Sequence, residues 1–127
     1  MNQLIFQYQD GYYYKVQYQD QYLGMLSYIF DDGSYWVEAV KQELLKSNSP
    51  GVTGNKTDVT FKGDEIKIEP LYAECPEDYA IKIDRNVLLR LIDEWQELTK
   101  KRTKEIVFTR HGDGTITIKE SMFGDPK

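Results

Sequence analysis

The clearest alternation of apolar and polar residues lies over residues 79–118. It predicts a strand over 79–83, a helix over about 85–101 and a hairpin over 105–118. Asp84 is placed to cap the helix, because its carboxylate can accept hydrogen bonds from the free amides of the first turn. A helix with one apolar face must cover a sheet, and the flanking segments supply strands. Six apolar residues recur at the spacing of one helical face: Val87, Leu88, Leu91, Ile92, Trp95 and Leu98.

Two further elements are predicted by the same kind of pattern. A hairpin is predicted over 57–70, because a two-residue loop at Gly63-Asp64 pairs Phe61 with Ile66 and keeps the apolar residues on one face. A helix is predicted over about 35–46, after the polar residues that end the preceding segment. Its apolar face consists of Trp36, Val37, Ala39, Val40 and Leu44.

The first 34 residues are predicted to form strands rich in tyrosine. Eight of the ten tyrosines lie in the first 35 residues, where they alternate with glutamine and aliphatic residues. Asp10-Gly11 marks a turn. A loop of three or five residues would place one set of apolar residues on a single face, namely Leu4, Phe6, Tyr8, Tyr14, Val16 and Tyr18. Ile5 and Tyr13 would then lie on the outer face. The apolar run over 22–30 is predicted to be a third strand.

Together these patterns predict one α+β domain over residues 1–127. Its core is a mostly antiparallel sheet of about six to eight strands, arranged as three hairpins and packed against the two helices at about 35–46 and 85–101. Residues 120–127 are predicted to be a tail, disordered from Gly124 onward. A chain of 127 residues is long enough to bury a core without disulfides or a metal.

The charge balance narrows the classes of partner. Twenty-one acidic and 16 basic residues give a net charge of −5, which argues against direct binding to nucleic acid. The same charge suits a basic protein partner, because opposite net charges steer encounter. No apolar stretch approaches the roughly 18 residues of a membrane span, and the N-terminus lacks the pattern of a signal peptide. We therefore expect a cytoplasmic protein with no membrane contact.

Candidate catalytic residues are few. His111 is the only histidine, and Asp113 lies close to it, but the two fall in a predicted hairpin turn where polar residues are common. Cys75 is the only cysteine, and its acidic neighbours disfavour the thiolate form that a nucleophile requires. One cysteine and one histidine cannot build a zinc cluster. We therefore predict no catalytic residue, no metal site and no cofactor, and expect that the protein is not an enzyme.

The features most suggestive of binding are the tyrosines and the acidic loops. Tyrosine is enriched at protein interfaces because it combines a large contact area with few rotors and a polar tip. Strands with good β-forming residues are the equally plausible structural explanation for the tyrosines. Acidic and aromatic loop residues are the candidate contacts with a partner, and they are Asp31, Asp32, Tyr35, Glu74, Glu77 and Asp78.

The run Leu88-Leu89-Arg90-Leu91-Ile92-Asp93-Glu94-Trp95 leads into Glu105-Ile106-Val107-Phe108, in a short acidic domain that begins with an aromatic, glutamine-rich hairpin. This combination resembles the small immunity proteins of bacterial polymorphic-toxin and contact-dependent inhibition systems. The resemblance covers roughly the C-terminal half in pattern and the whole chain in size and charge. It implies a stoichiometric inhibitor that binds a cognate toxin domain, often a nuclease, and blocks its active site or substrate groove.

Two alternatives to the immunity hypothesis stay open at the level of sequence. One is a structural or regulatory domain that forms a homodimer through the tyrosine-rich sheet, so that the protein is either a monomer or a homodimer. The other is a small enzyme that uses His111 or the acidic pairs Asp31-Asp32 and Glu77-Asp78. The identity of the partner and the order of the strands do not follow from the sequence.

Overall fold

The fold is known from a computed structural model, which describes residues 2–18 and 20–121. Of the predicted tail over residues 120–127, Glu120 belongs to the last strand, and residues 122–127 lie outside the described residues. A short 3-10 turn at Pro76–Asp78 separates the fifth and sixth strands. In chain order the elements are β1 (Asn2–Gln9), β2 (Tyr12–Tyr18), α1 (Gln21–Phe30), α2 (Ser34–Leu44), β3 (Gly51–Thr53), β4 (Thr57–Lys62), β5 (Glu65–Pro70), β6 (Ile81–Asp84), α3 (Arg85–Lys100), β7 (Glu105–Arg110) and β8 (Ile116–Glu120).

The described strands form two antiparallel sheets of four strands each, so the predicted α+β class is confirmed, although a single sheet was expected. The first, which we call the tyrosine sheet, has the order β2-β1-β7-β8. Its centre joins the two ends of the chain, with Leu4 opposite Phe108. The second, which we call the meander sheet, has the order β3-β4-β5-β6 and connects each strand to the next in sequence.

The meander sheet contains the hairpin predicted over 57–70. Its loop is Gly63-Asp64, and Phe61 lies opposite Ile66, as the sequence indicated. Lys62 and Glu65 close the ladder beside the loop. The apolar residues of both strands are buried on one face, because an even loop keeps the two strands in phase.

Residues 22–30 form most of α1, so the prediction of a third strand there is wrong. The Asp20 side chain caps the helix by accepting a hydrogen bond from the Leu23 amide at 2.7 Å. The helix contacts strands of both sheets. A helix covered on two sides is apolar on most of its surface, so its sequence shows an apolar run without a helical period. Its buried residues are Leu23, Met25, Leu26, Ser27, Ile29 and Phe30.

The loop of the first hairpin has two residues instead of the predicted three or five. Asp10 and Gly11 have φ values of 53° and 90°, which is the conformation of a tight hairpin turn with both central residues left-handed. The turn sets Gln9 opposite Tyr12 and Tyr8 opposite Tyr13. Tyr13 therefore lies on the inner face, and its predicted outer position is wrong.

An irregularity in β2 restores the apolar register further along the hairpin. Phe6 lies opposite Lys15, whereas the next pair is Ile5 with Gln17, which leaves Val16 outside the pairing. The extra residue is a β-bulge, and it shifts the inner face of β2 by one position. Beyond the bulge, Leu4 lies opposite Tyr18, which is the pairing that an odd loop would have given without a bulge.

The two predicted helices are confirmed as α2 and α3. Asp84 caps α3 as expected, since its carboxylate accepts hydrogen bonds from the amides of Asn86 at 2.9 Å and Val87 at 3.3 Å. α3 is the longest helix in the described part of the chain, with 16 residues, and no helix there is long and apolar enough to cross a membrane.

α3 ends in a tight turn that carries a strained residue. The Thr103 amide donates to the Leu98 carbonyl at 3.1 Å, and the Arg102 amide donates to the Thr99 carbonyl at 3.0 Å. This pair of hydrogen bonds requires a left-handed residue after the helix, and here it is Arg102, with φ of 57°. Glycine is the usual residue at such a position, so the arginine side chain is held there at a conformational cost.

An aromatic cluster joins the tyrosine sheet to the helices. Its centre is Trp95 of α3, whose ring centroid lies 4.8 Å from that of Phe6 and 5.1 Å from that of Phe30. Tyr13 and Phe108 complete the cluster, at 5.4 Å and 5.9 Å from Trp95. The five rings come from five different elements, so the cluster links segments that are far apart in sequence.

Candidate protein-binding surface

Six tyrosines are exposed, and five of them border two depressions of the surface. Tyr35 is 88% exposed and Tyr12 is 68% exposed, although large aromatic side chains usually bury most of their area. Tyr14, Tyr18 and Tyr79 are about half exposed. Some tyrosines are therefore exposed, as the sequence predicted. Tyr13, which was predicted to lie on the outer face, is instead partly buried.

The first depression, which we call the aromatic groove, lies between the tip of the first hairpin and the helices α2 and α3. Its volume is about 1010 Å³. Trp95, Phe30 and Tyr13 belong to the aromatic cluster and also line the groove. Its other lining residues are Tyr8, Gly11, Tyr12, Tyr14, Asp31, Gly33, Ser34, Tyr35, Glu38, Gln96, Thr99, Lys100 and Arg102.

Two hydrogen bonds hold the hairpin against the end of α3 and so shape the groove. The Tyr13 hydroxyl donates to the Thr103 carbonyl at 2.7 Å. The Tyr8 amide donates to the Lys104 carbonyl at 2.9 Å. Burial, together with the neighbouring Tyr8, raises the pKa of the Tyr13 phenol to about 12. Tyr13 therefore stays protonated and remains a donor throughout the physiological range.

The rim of the aromatic groove carries charges of both signs. Glu38 accepts hydrogen bonds from Gln42 at 2.6 Å and from Gln96 at 2.8 Å, which lower the pKa of its carboxyl. Within the described residues, the side chains of Lys100 and Arg102 have no hydrogen-bond or ion-pair partner. The groove therefore offers uncommitted cations on the α3 side and a positioned carboxylate on the α2 side.

The second depression, which we call the acidic cleft, lies between α1 and the connection from β5 to β6. Its volume is about 690 Å³. Gln21 joins the two walls, because its side-chain amide donates to the Asp78 carbonyl at 2.9 Å. The residues that line the cleft are Lys15, Tyr18, Gln21, Gly24, Met25, Tyr28, Pro70, Ala73, Glu74, Cys75, Asp78 and Tyr79.

Gly24 determines the shape of one wall of the acidic cleft. A Cβ atom at this position would lie 3.0 Å from Cε2 and 3.1 Å from Cδ2 of Tyr18, which is tighter than ordinary contact. The missing side chain leaves room for the Tyr18 ring beside α1. This role of Gly24 did not follow from the sequence, because the apolar run over 22–30 predicted a strand there.

An ion pair contributes to both depressions. Lys15 lines the acidic cleft and Asp31 lines the aromatic groove, and their side chains approach to 3.5 Å. Lys15 also lies 3.1 Å from the Ser27 hydroxyl. Burial raises the pKa of the Asp31 carboxyl, and the Lys15 ammonium offsets part of that rise.

The six residues predicted to contact a partner do not form one site. Asp31 and Tyr35 border the aromatic groove. Glu74 and Asp78 line the acidic cleft. Asp32 and Glu77 line neither depression. The four other exposed tyrosines of the two depressions, together with Trp95, were not among the predicted contacts. Placing Tyr12, Tyr14 and Tyr18 required the hairpin register, whereas placing Tyr79 and Trp95 required the tertiary structure.

The candidate catalytic residues have separate hydrogen-bond partners. The His111 Nε2 atom lies 2.9 Å from the Thr117 hydroxyl. Asp113 accepts from the Thr115 hydroxyl at 2.7 Å, which lowers the pKa of its carboxyl. No hydrogen bond joins the two side chains in residues 2–18 and 20–121. Cys75 is exposed in the acidic cleft, and the described residues contain no group of three side chains suited to a metal ion.

No protein-family model, curated protein or solved structure matches this chain.

Proposed function

We propose that this protein is a protein-binding module of the bacterial immunity type, which neutralises a cognate cytoplasmic toxin domain by covering its active site. The observation that carries the proposal is the group of exposed tyrosines around the two depressions, namely Tyr12, Tyr14, Tyr18, Tyr35 and Tyr79. The resemblance in size, charge and pattern to immunity proteins supplies the class of partner.

Exposed tyrosines beside preformed depressions favour a binding role over a purely structural one. A tyrosine that only supports a sheet loses nothing by packing flat, whereas Tyr35 projects from the first turn of α2 with 88% of its surface exposed. Covering such a side chain removes a large apolar ring from water at a low cost in side-chain entropy. Aromatic residues of this kind dominate the energy of many protein interfaces.

The charge of the chain indicates a basic partner. The net charge is −5, and Glu74, Glu77 and Asp78 have no ion-pair or hydrogen-bond partner for their side chains among the described residues. Opposite charge accelerates encounter, and the effect weakens as salt screens it. A nuclease domain, which must bind a polyanion, would present a surface of the required sign.

The experiment is a rescue assay with the protein encoded immediately upstream of this gene. Expression of its C-terminal domain should stop bacterial growth, and co-expression of this chain should restore it. Calorimetry should then give a 1:1 complex, and the association rate constant should fall about tenfold between low and high salt. A harmless upstream domain, or a toxic one that this chain neither binds nor neutralises, would contradict the proposal.

The second candidate function is a homodimer that pairs the tyrosine sheets of two copies. The observation in its favour is that β2 is an edge strand with Tyr12 and Tyr14 exposed. Against it, Lys15 points inward from this strand and the bulge at Val16 disturbs the ladder, and both features discourage pairing between edges. Light scattering decides the matter: the mass of two chains, rising with concentration, would favour the dimer.

A further inference from the structure

We propose that the acidic cleft binds an arginine side chain of the partner, with its guanidinium among the Glu74 and Asp78 carboxylates and the ring of Tyr79. The inference rests on the proposed protein-binding function and adds the residue type that this part of the surface recognises. It concerns the cleft between α1 and the β5–β6 connection, and it does not depend on the aromatic groove.

The walls of the cleft suit the aliphatic and planar parts of an arginine. Tyr18 and Tyr28 stand on the side of β2 and α1, and Tyr79 stands on the opposite side, about half exposed. Met25 lines the cleft and is only 5% exposed, so the cleft reaches the edge of the core. A volume of about 690 Å³ accommodates a long side chain together with its neighbours.

The charge within the cleft selects a cation. Glu74 and Asp78 have no cationic partner within the described residues. Among the described residues that line the cleft, Lys15 is the only cation, and Asp31 balances its charge at 3.5 Å. An anionic occupant would meet two uncompensated carboxylates, and an apolar occupant would take water from them without replacing its hydrogen bonds. A positively charged side chain satisfies both groups.

The aromatic wall already holds one cation. The Lys15 ammonium lies 4.9 Å from the centre of the Tyr18 ring and 5.2 Å from that of the Tyr28 ring. Those distances are typical of cation–π contacts. The internal ammonium uses the two tyrosines of the α1 side, whereas Tyr79 has no cation over its ring among the described residues. The free ring and the free carboxylates are thus on the same side of the cleft.

Arginine fits these groups better than lysine. Its guanidinium is planar, stacks on aromatic rings and presents five donors, so it can meet carboxylates and a tyrosine ring at once. An ammonium is a more strongly hydrated point charge and gives up more hydration on entering a partly apolar cleft. We therefore expect the cleft to prefer arginine to lysine and to reject the neutral isostere citrulline.

The test is a titration of the purified protein with N-acetyl-arginine amide, followed by NMR of methyl-labelled methionines. The Met25 methyl group, at the cleft, should shift with a Kd of about 1 mM, which is the weak range expected for a single side chain. N-acetyl-citrulline amide should leave it unshifted at the same concentrations. The double variant Glu74→Gln/Asp78→Asn should weaken arginine binding about tenfold.

Glu77→Gln is the matched control, because it removes the same charge from the same connection at a residue that does not line the cleft. Its Kd should stay within about twofold of the original. An unmoved Met25 signal, an equal response to citrulline, or equal weakening by Glu77→Gln would overturn the inference. The probe needs no partner, so the two proposals can fail separately. If the cleft binds arginine but no toxin is neutralised, only the proposed function is contradicted. If a toxin is neutralised but the cleft does not bind arginine, only the inference about the cleft is contradicted.

Discussion

The two sheets of this protein are equal in strand number but differ in how they are assembled. The meander sheet connects each strand to its sequence neighbour, and its central hairpin closes with two residues. The tyrosine sheet joins β1 to β7, with Gln7 opposite Glu105 across most of the chain. One sheet therefore depends on local turns, whereas the other depends on the aromatic cluster that holds distant segments together. Three of the six exposed tyrosines, Tyr12, Tyr14 and Tyr18, lie in β2 of the tyrosine sheet, whereas none lies in a strand of the meander sheet.

The largest expected effect comes from Trp95→Ala, which removes the centre of the aromatic cluster. Trp95 is 4% exposed, and loss of a buried tryptophan should lower the free energy of unfolding by about 4 kcal/mol. Urea unfolding measures the loss, with Leu98→Ala, a partly buried residue of the same helix, as the milder control. In Trp95→Ala, hydrogen exchange should show a larger loss of amide protection in the tyrosine sheet than in the meander sheet. Equal loss of protection in both sheets would contradict the difference in assembly.

The next effect concerns β3, the short edge strand of the meander sheet. Gly51, its first residue, has φ of 137°, and a Cβ atom there would clash with the Val59 carbonyl oxygen, so Gly51→Ala must displace β3. We expect a loss of about 2 kcal/mol, limited by the detachment of a three-residue edge strand. Gly63→Ala is the control, because Gly63 also has positive φ but has no atom within 4 Å of the added Cβ. It should cost about 1 kcal/mol, and equal losses in the two variants would contradict the steric explanation.

The smallest effect on stability is expected from Tyr13→Phe, which removes the hydrogen bond to the Thr103 carbonyl. We expect a loss of about 1 kcal/mol near neutral pH. Because burial raises the Tyr13 pKa to about 12, the unfolded chain releases this proton at lower pH than the folded chain does. The tyrosine therefore makes the free energy of unfolding fall as pH rises from about 10 to 12. Tyr13→Phe should reduce that fall, which urea unfolding at a series of pH values measures. The same fall in the unaltered chain and in Tyr13→Phe would contradict the raised pKa.

The fold was predictable where local patterns decide it. The stripe from Val87 to Leu98 has a clear helical period, because α3 exposes its opposite face. α1 has no such period, because both sheets cover it, and the apolar run over 22–30 resembled a buried strand. Asp20 carried the missing signal, since it lies where an N-cap must lie.

The candidate surface was predictable only in composition. The abundance of tyrosine is compatible with an interface or with a β-sheet surface, and which tyrosines of β2 are exposed depends on an even turn at Asp10-Gly11 and a bulge at Val16. A rule that keeps apolar residues on one face cannot distinguish this combination from an odd loop. The charge of Asp31 and Asp78 predicts that both contact a partner. Only the tertiary structure shows that Asp31 borders the aromatic groove and Asp78 the acidic cleft.

The most direct test of the proposed function compares two tyrosines that are equally exposed. Tyr35 is 88% exposed and lines the aromatic groove, whereas Tyr72 is 86% exposed and lines neither depression. The affinity for the upstream-encoded domain should be measured by calorimetry for the unaltered chain, Tyr35→Ala and Tyr72→Ala. We expect a 1:1 complex that Tyr35→Ala weakens about 30-fold and Tyr72→Ala weakens less than about threefold. The absence of a complex, or equal effects of the two substitutions, would contradict the proposed function.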